Sequence, residues 1–225
     1  MFYTLKTYLR LLIVALVVLF IQLSLSISPV LSQDIKIGIQ IWTSKNLDVS
    51  TFRNGEVIPE AKSKEEWEKA GKNNQPAWCY YDNNEQNGKV YGKLYNWYAV
   101  NDSRGLLPSG YHIPSHADWI ILTDFLGGKN IAGEKMKSKQ GWKKNGKKSG
   151  NGNNSSGFNG LPGGYCDVNG YFFFVHGSRS FGNWWSSSEY ADNGVLYWVV
   201  NYVSSDLTFY SGNKNDGHSV RCIKD

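Results

Sequence analysis

The chain has 225 residues, 24 basic against 19 acidic for a formal charge of +5, and 15% aromatic side chains that include nine Trp and fourteen Tyr. So mild a balance excludes the strongly basic face of a dedicated nucleic-acid binder. A chain rich in aromatics and glycine but poor in long helical patterns reads as mostly strands, with short helices and many turns.

Lys6 and Arg10 open the chain, an apolar run follows from Leu11 to Leu23, and small residues with Pro29 lead to Ser32-Gln33. This is the three-part pattern of a secretory signal peptide, and cleavage after Ser32 is expected. The rival reading is an uncleaved anchor, but the run is shorter than the roughly 20 apolar residues that a bilayer span needs. Removing residues 1–32 leaves 193 residues at a net charge of +3, enough for one or two compact domains. After that cleavage no transmembrane span is expected. The compartment would be extracellular or the cell surface.

Residues 35–42 alternate apolar and polar side chains and predict a first strand. Ser63 and Glu66 form a capping box for a short helix over residues 63–70, ended by Gly71. Residues 76–81 and 89–100 read as core strands or extended segments, separated by a polar turn over residues 82–88. Ser115 and Asp118 cap the clearest helix, stopped by Gly127-Gly128, with Trp119, Leu122 and Leu126 on one face. Residues 129–148 hold eight lysines against one acid. They read as a solvated loop, the alternative being a patch for phosphate, acidic polysaccharide or a membrane surface. Beyond it, residues 171–175, 184–187, 195–203, 206–210 and 219–223 read as strands. Residues 195–200 are apolar on both faces and suit a central, doubly covered strand. Residues 213–217 make the last turn.

Three phrases carry a family resemblance: Tyr91-Gly-Lys-Leu-Tyr-Asn-Trp-Tyr-Ala-Val100, Gly110-Tyr-His-Ile-Pro-Ser-His-Ala-Asp-Trp119 and His218-Ser-Val-Arg-Cys-Ile-Lys-Asp225. With Ile35…Trp42…Asn46-Leu47 and Phe158-Asn-Gly-Leu-Pro-Gly-Gly-Tyr165, they resemble the Fibrobacter succinogenes major paralogous domain over residues 34–225. The resemblance implies a C-type-lectin-like α+β fold, related to formylglycine-generating enzymes, with short twisted antiparallel strands, two or so short helices and long loops. It also implies a bacterial secreted or surface protein.

Cys79, Cys166 and Cys222 allow three single pairings in an oxidising compartment, or three buried thiols. The lectin-like resemblance implies Cys79 with Cys222, because such folds return the last strand beside earlier ones. Many relatives carry a cysteine where Leu107 stands, so the family's usual disulfide scheme does not transfer whole.

Chemistry is sparse. His112 and His116 straddle Pro114 and do not share a helical face, so a structural role is expected and no zinc site, which needs three or four convergent ligands. Residues 82–88 fail as a calcium-binding loop. No cofactor is expected, with calcium the alternative through the oxygens of Asn213, Asn215 and Asp216, residues that equally suit a turn. No nucleophilic elbow, phosphate loop or metalloprotease helix is present, so no enzymatic activity is expected. Cys166 and Cys222 are the only candidates for the copper cysteines of formylglycine-generating relatives, in a context that does not match. What remains is aromatic. Trp184, Tyr190 and Tyr210, with Asn213 and Asp216, form the candidate ligand face, its rings stacking on sugars while amide and carboxyl groups bond their rims. Trp185 and Trp198 are assigned to the core. The expected function is a non-catalytic module binding polysaccharide or a surface protein. The alternatives are a diverged enzyme of the formylglycine-generating superfamily and a purely structural surface protein.

Overall fold

A computed structural model describes residues 33–172, 180–190 and 194–225. The leader expected over residues 1–32 lies outside them, as do residues 173–175 of the strand expected from Tyr171. The described residues all fall within one compact unit. The fold is α+β: five helices and three small antiparallel sheets among the described residues.

The first expected strand is a hairpin. Gly38 at φ +63° breaks it into β1 (Asp34–Ile37) and β2 (Gln40–Thr43), in register from Asp34 opposite Thr43 to Ile37 opposite Gln40. A Cβ at Gly38 would lie 2.9 Å from the Phe125 ring, so the turn needs glycine for its conformation and for space. β2 then pairs with β9 (Ile223–Lys224), and β9 with β5 (Tyr111–His112), closing a four-stranded sheet that joins the two ends of the domain.

Helix α1 (Lys64–Lys72) starts where Ser63 accepts from the Glu66 amide. The Glu66 carboxylate reaches back to the Lys62 amide rather than to Ser63. Gly71 lies inside the helix, packed against Asn215, and Asn73 caps the end. The segment expected to be extended over residues 76–100 is divided more finely. It contains β3 (Trp78–Cys79), a single 3-10 turn (Tyr81–Asn83), α2 (Glu85–Tyr91), β4 (Leu94–Tyr95) and α3 (Trp97–Val100). Asn side chains make this possible: Asn84 caps α2 and Asn96 caps α3. α4 (His116–Phe125) carries the full capping box of Ser115 and Asp118, and buries Trp119 and Leu122.

The lysine-rich segment corrects the expectation of a solvated loop. Its first part is α5 (Lys129–Met136), which buries Ala132 and Met136. Lys137 is 4% exposed and donates to the carbonyls of Asn201 (2.9 Å) and Ser204 (2.7 Å). One lysine of the run is thus a structural tie, its pKa lowered by burial. The third sheet is β6 (Phe181–Glu189), β7 (Val195–Asn201) and β8 (Leu207–Gly212), with β7 central as its two-sided apolar pattern required.

Pleating sorts this sheet's aromatics onto two faces. Trp184, Trp198 and Phe209 share one, through the pairs Trp184–Trp198 and Trp198–Phe209. Trp185, Tyr197 and Tyr210 share the other. On the first face Trp198 stacks on Trp119 at 5.7 Å, Trp119 meets Trp42 at 4.9 Å, and Phe158 meets Trp184 edge-on at 5.3 Å. This aromatic cluster, with α4 and α5 over it, forms one of the two large cores.

One buried cation sits beneath the cluster. Arg221 is 1% exposed and donates to Asn46 Oδ1 (2.7 Å) and to the carbonyls of Thr43 (2.6 Å), Phe158 (2.9 Å) and Asn159 (3.2 Å). Its guanidinium lies 4.3 Å from the Phe158 ring centroid. Burial pushes its pKa down to about 9, so it stays charged at neutral pH, held by four oxygens. Arg221→Ala, which strands those acceptors, is expected to cost about 3–5 kcal/mol in urea unfolding.

Candidate functional site

The candidate site forms on the second face of the β6–β7–β8 sheet, where β8 runs into the last turn. Asn213 Oδ1 accepts from the Asn215 amide, and Asp216 Oδ2 accepts from the Asn213 amide, each at 2.9 Å. These are turn-building bonds of the Asx kind. They fix the Asp216 carboxylate beside Tyr197, with Gly212 leaving the space between: a Cβ there would lie 2.9 Å from the Tyr197 ring and 3.1 Å from Asp216 Oδ2. Tyr197 and Tyr210 face each other at 6.0 Å, and the Tyr210 ring is open to solvent. Lys214 bonds Glu189 at 3.1 Å and covers the Trp97 ring at 4.7 Å. Tyr190 follows β6, exposed, its amide bonded to the Gly194 carbonyl.

Beneath this surface lies His218, 1% exposed. It stacks on Tyr197 at 4.3 Å and meets Trp185 at 4.3 Å and Tyr165 at 5.5 Å. Burial lowers its pKa to about 3, so the imidazole is neutral, and neither ring nitrogen has a partner among the described residues. Burial acts oppositely on the acids around it. It raises Tyr197 to about 12 and Asp216 to about 6, the latter opposed by the backbone amides that bond its carboxylate. A carboxylate with a raised pKa among tyrosines makes this surface a candidate site.

The expected residues divide. Tyr190, Tyr210, Asn213 and Asp216 do lie along this end of the sheet. Trp184 does not: it is fully buried on the opposite face, with its indole Nε1 donating to Asn46 at 2.9 Å. Its neighbour Gly182 has no room for a Cβ, which would lie 2.6 Å from the Trp184 ring. Alternation decided the matter, since adjacent Trp184 and Trp185 must point to opposite faces and both faces are covered. Trp185 and Trp198 are core, as expected. Tyr165 and His218 escaped notice because each reaches the site from a non-adjacent loop.

His112 ends β5 and bonds Asp225 at 2.7 Å, whereas His116 enters α4 and lies against Phe209 at 4.5 Å. Among the described residues no group of three metal-ligating side chains assembles. Cys79, Cys166 and Cys222 are free and buried, and Cys79 and Cys222 lie in different core clusters. The expected Cys79–Cys222 pairing is therefore corrected: the returning C-terminal strand packs Cys222 against Thr43 and Arg221 instead. A cleft of about 340 Å³ opens on the other face of the sheet, between α4 and β7–β8, lined by Ile120, Asp124, Lys129, Trp198 and Phe209. No helix among the described residues is long and apolar enough to cross a membrane.

Fold and site together define a small α+β domain whose aromatic core supports a turn-built, tyrosine-rich surface. The Fibrobacter succinogenes major domain matches residues 35–224, and the chain belongs to that family. No curated protein and no solved structure matches it.

Two measurements check this site. Trp184→Ala is expected to lose about 3–5 kcal/mol of unfolding free energy in urea, the cost of emptying a buried indole site. Asp216 is an acid whose folded pKa, about 6, exceeds its ordinary 3.8. Its contribution is therefore present below pH 4 and is lost as pH rises to 6. Stability should fall by about 1–2 kcal/mol across that window, and Asp216→Asn should flatten the slope.

Proposed function

We propose that this chain is a secreted or cell-surface binding module without catalytic activity, built on a lectin-like scaffold, that recognises carbohydrate through the Tyr210–Asp216 surface. The observation that carries this reading is the pairing of the open Tyr210 ring with the half-buried Asp216, whose pKa burial raises, across Tyr197. A flat ring offers an apolar face to a pyranose, and an oriented carboxylate accepts from its hydroxyls. Asn213, Lys214, Glu189 and Tyr190 supply further polar groups and one more ring around it. Export rests on the basic, apolar and small-residue pattern of residues 1–32.

Calcium is not required by this reading, in which Asn213 Oδ1 and Asp216 Oδ2 serve the turn. The test is binding of the full chain to a panel of glycans and cell-wall polysaccharides, with and without chelator. Saturable, chelator-insensitive binding is expected, weakened about tenfold or more by Tyr210→Ala while the melting temperature holds within about 2 °C. Binding that Tyr210→Ala leaves intact would move the site elsewhere. No binding to any glycan would turn the search to protein partners.

A further inference from the structure

Cys79 and Cys166 are 87 positions apart in sequence, yet they are neighbours in the same core cluster. Cys79 enters it from β3, opposite Leu94. Cys166 enters from the bridge it makes with Gly217 and Phe172. Each is 1% exposed, and both pack into the same small apolar cluster. The surrounding residues, Ala61, Trp67, Ala77, Tyr81 and Leu94, provide no charge to activate a thiol and no ligand to make a metal site. Cys222 lies in a different cluster, beside Arg221, with its backbone tied to Thr43 on both sides.

We propose that Cys79 and Cys166 close a disulfide when the chain folds in an oxidising medium, leaving Cys222 as a buried thiol. The reaction is two exchanges with a small-molecule disulfide such as oxidised glutathione. One cysteine thiolate attacks it, forming a mixed disulfide and releasing the first small thiolate. The second cysteine then attacks the protein sulfur of that mixed disulfide, forms the Cys79–Cys166 bond and releases the second thiolate. The protein loses two electrons and two protons, and the small disulfide is reduced to two thiols.

Timing follows from burial. In the folded dithiol both cysteines are 1% exposed within an apolar cluster, so a small-molecule disulfide cannot reach either sulfur. Closure therefore occurs during folding, before this core cluster is sealed. The inference concerns the chain's own chemistry and stands apart from the carbohydrate reading.

The test refolds the full chain from denaturant in glutathione redox buffer and, in parallel, in excess reductant. Remaining thiols are then alkylated, the chain is digested without reduction at acidic pH, and linked peptides are identified by mass spectrometry. A peptide pair joining Cys79 to Cys166, with Cys222 alkylated, is expected in the oxidised sample alone. The oxidised form should melt roughly 5–15 °C higher, since the bond closes a long loop. Cys222→Ala should retain this difference, and Cys166→Ala should lose it. Cross-links to Cys222, or three alkylated cysteines after oxidative refolding, would overturn the proposal, whether or not any variant folds.

Discussion

The domain depends on one polar knot at Asn46. Its Oδ1 accepts from Trp184 Nε1 and from Arg221 Nε, while its Nδ2 donates to the Tyr91 carbonyl and to Ser219 Oγ. One amide thus binds the end of α2, a strand of the third sheet and the C-terminal segment to the loop after β2. All these partners are distant in sequence, so the knot forms only when the ends of the domain meet. A buried guanidinium without a carboxylate partner is tolerable only because the carbonyls of Thr43, Phe158 and Asn159 are aimed at it. Loss of any one segment leaves the charge under-coordinated, which couples closure of the first sheet to packing of the third.

That coupling explains why the recognisable phrases of the chain report on architecture and not on chemistry. Tyr95, from the first phrase, is fully buried with its hydroxyl bonded to both the amide and carbonyl of Val49. Trp119, from the second, is the hub of the aromatic cluster. Arg221, from the third, is the buried cation. Each makes bonds or ring contacts that few other residues can reproduce, which is why these phrases stand out. The surface at Tyr210 and Asp216 draws on them only through His218, as a floor, and Trp97, covered by Lys214.

Legibility in the sequence followed the range of the interaction responsible. The α4 helix could be read because its cap, its apolar face and its glycine stop are all local. The central place of β7 could be read because being covered on both sides erases alternation. Helix α5 could not: its N-cap is Gly128, with no side-chain bond, and its stability comes from burying Ala132 and Met136 under β8. The lysines around it obscured that packing, since charge density looks the same on a loop and on the wet side of a helix. Trp184 was misjudged for a related reason. In a strand read Trp-Trp-Ser-Ser-Ser, one indole is expected outside, and only the layer formed by Trp119 and Phe158 shows that the first face is covered too. Of the candidate face, the turn residues were legible as a turn, whereas the approach of Tyr165 and His218 depends on long-range pairing.

Placing the open tyrosines at the edge strand and last turn has an energetic logic. The Trp184 face carries the large aromatic core, and the knot at Asn46 ties it to both ends of the domain. The other face rests on Trp185 and His218, packed edge to ring, so Tyr197 has a rigid floor. Tyr210 can then change without disturbing any layer beneath it, because it projects from an edge strand. The carboxylate of Asp216, its pKa raised by burial, opposes folding at neutral pH, as do the ring nitrogens of His218 beneath it, unpartnered among the described residues. The surface thus sets a rim of turn side chains on a fixed aromatic floor.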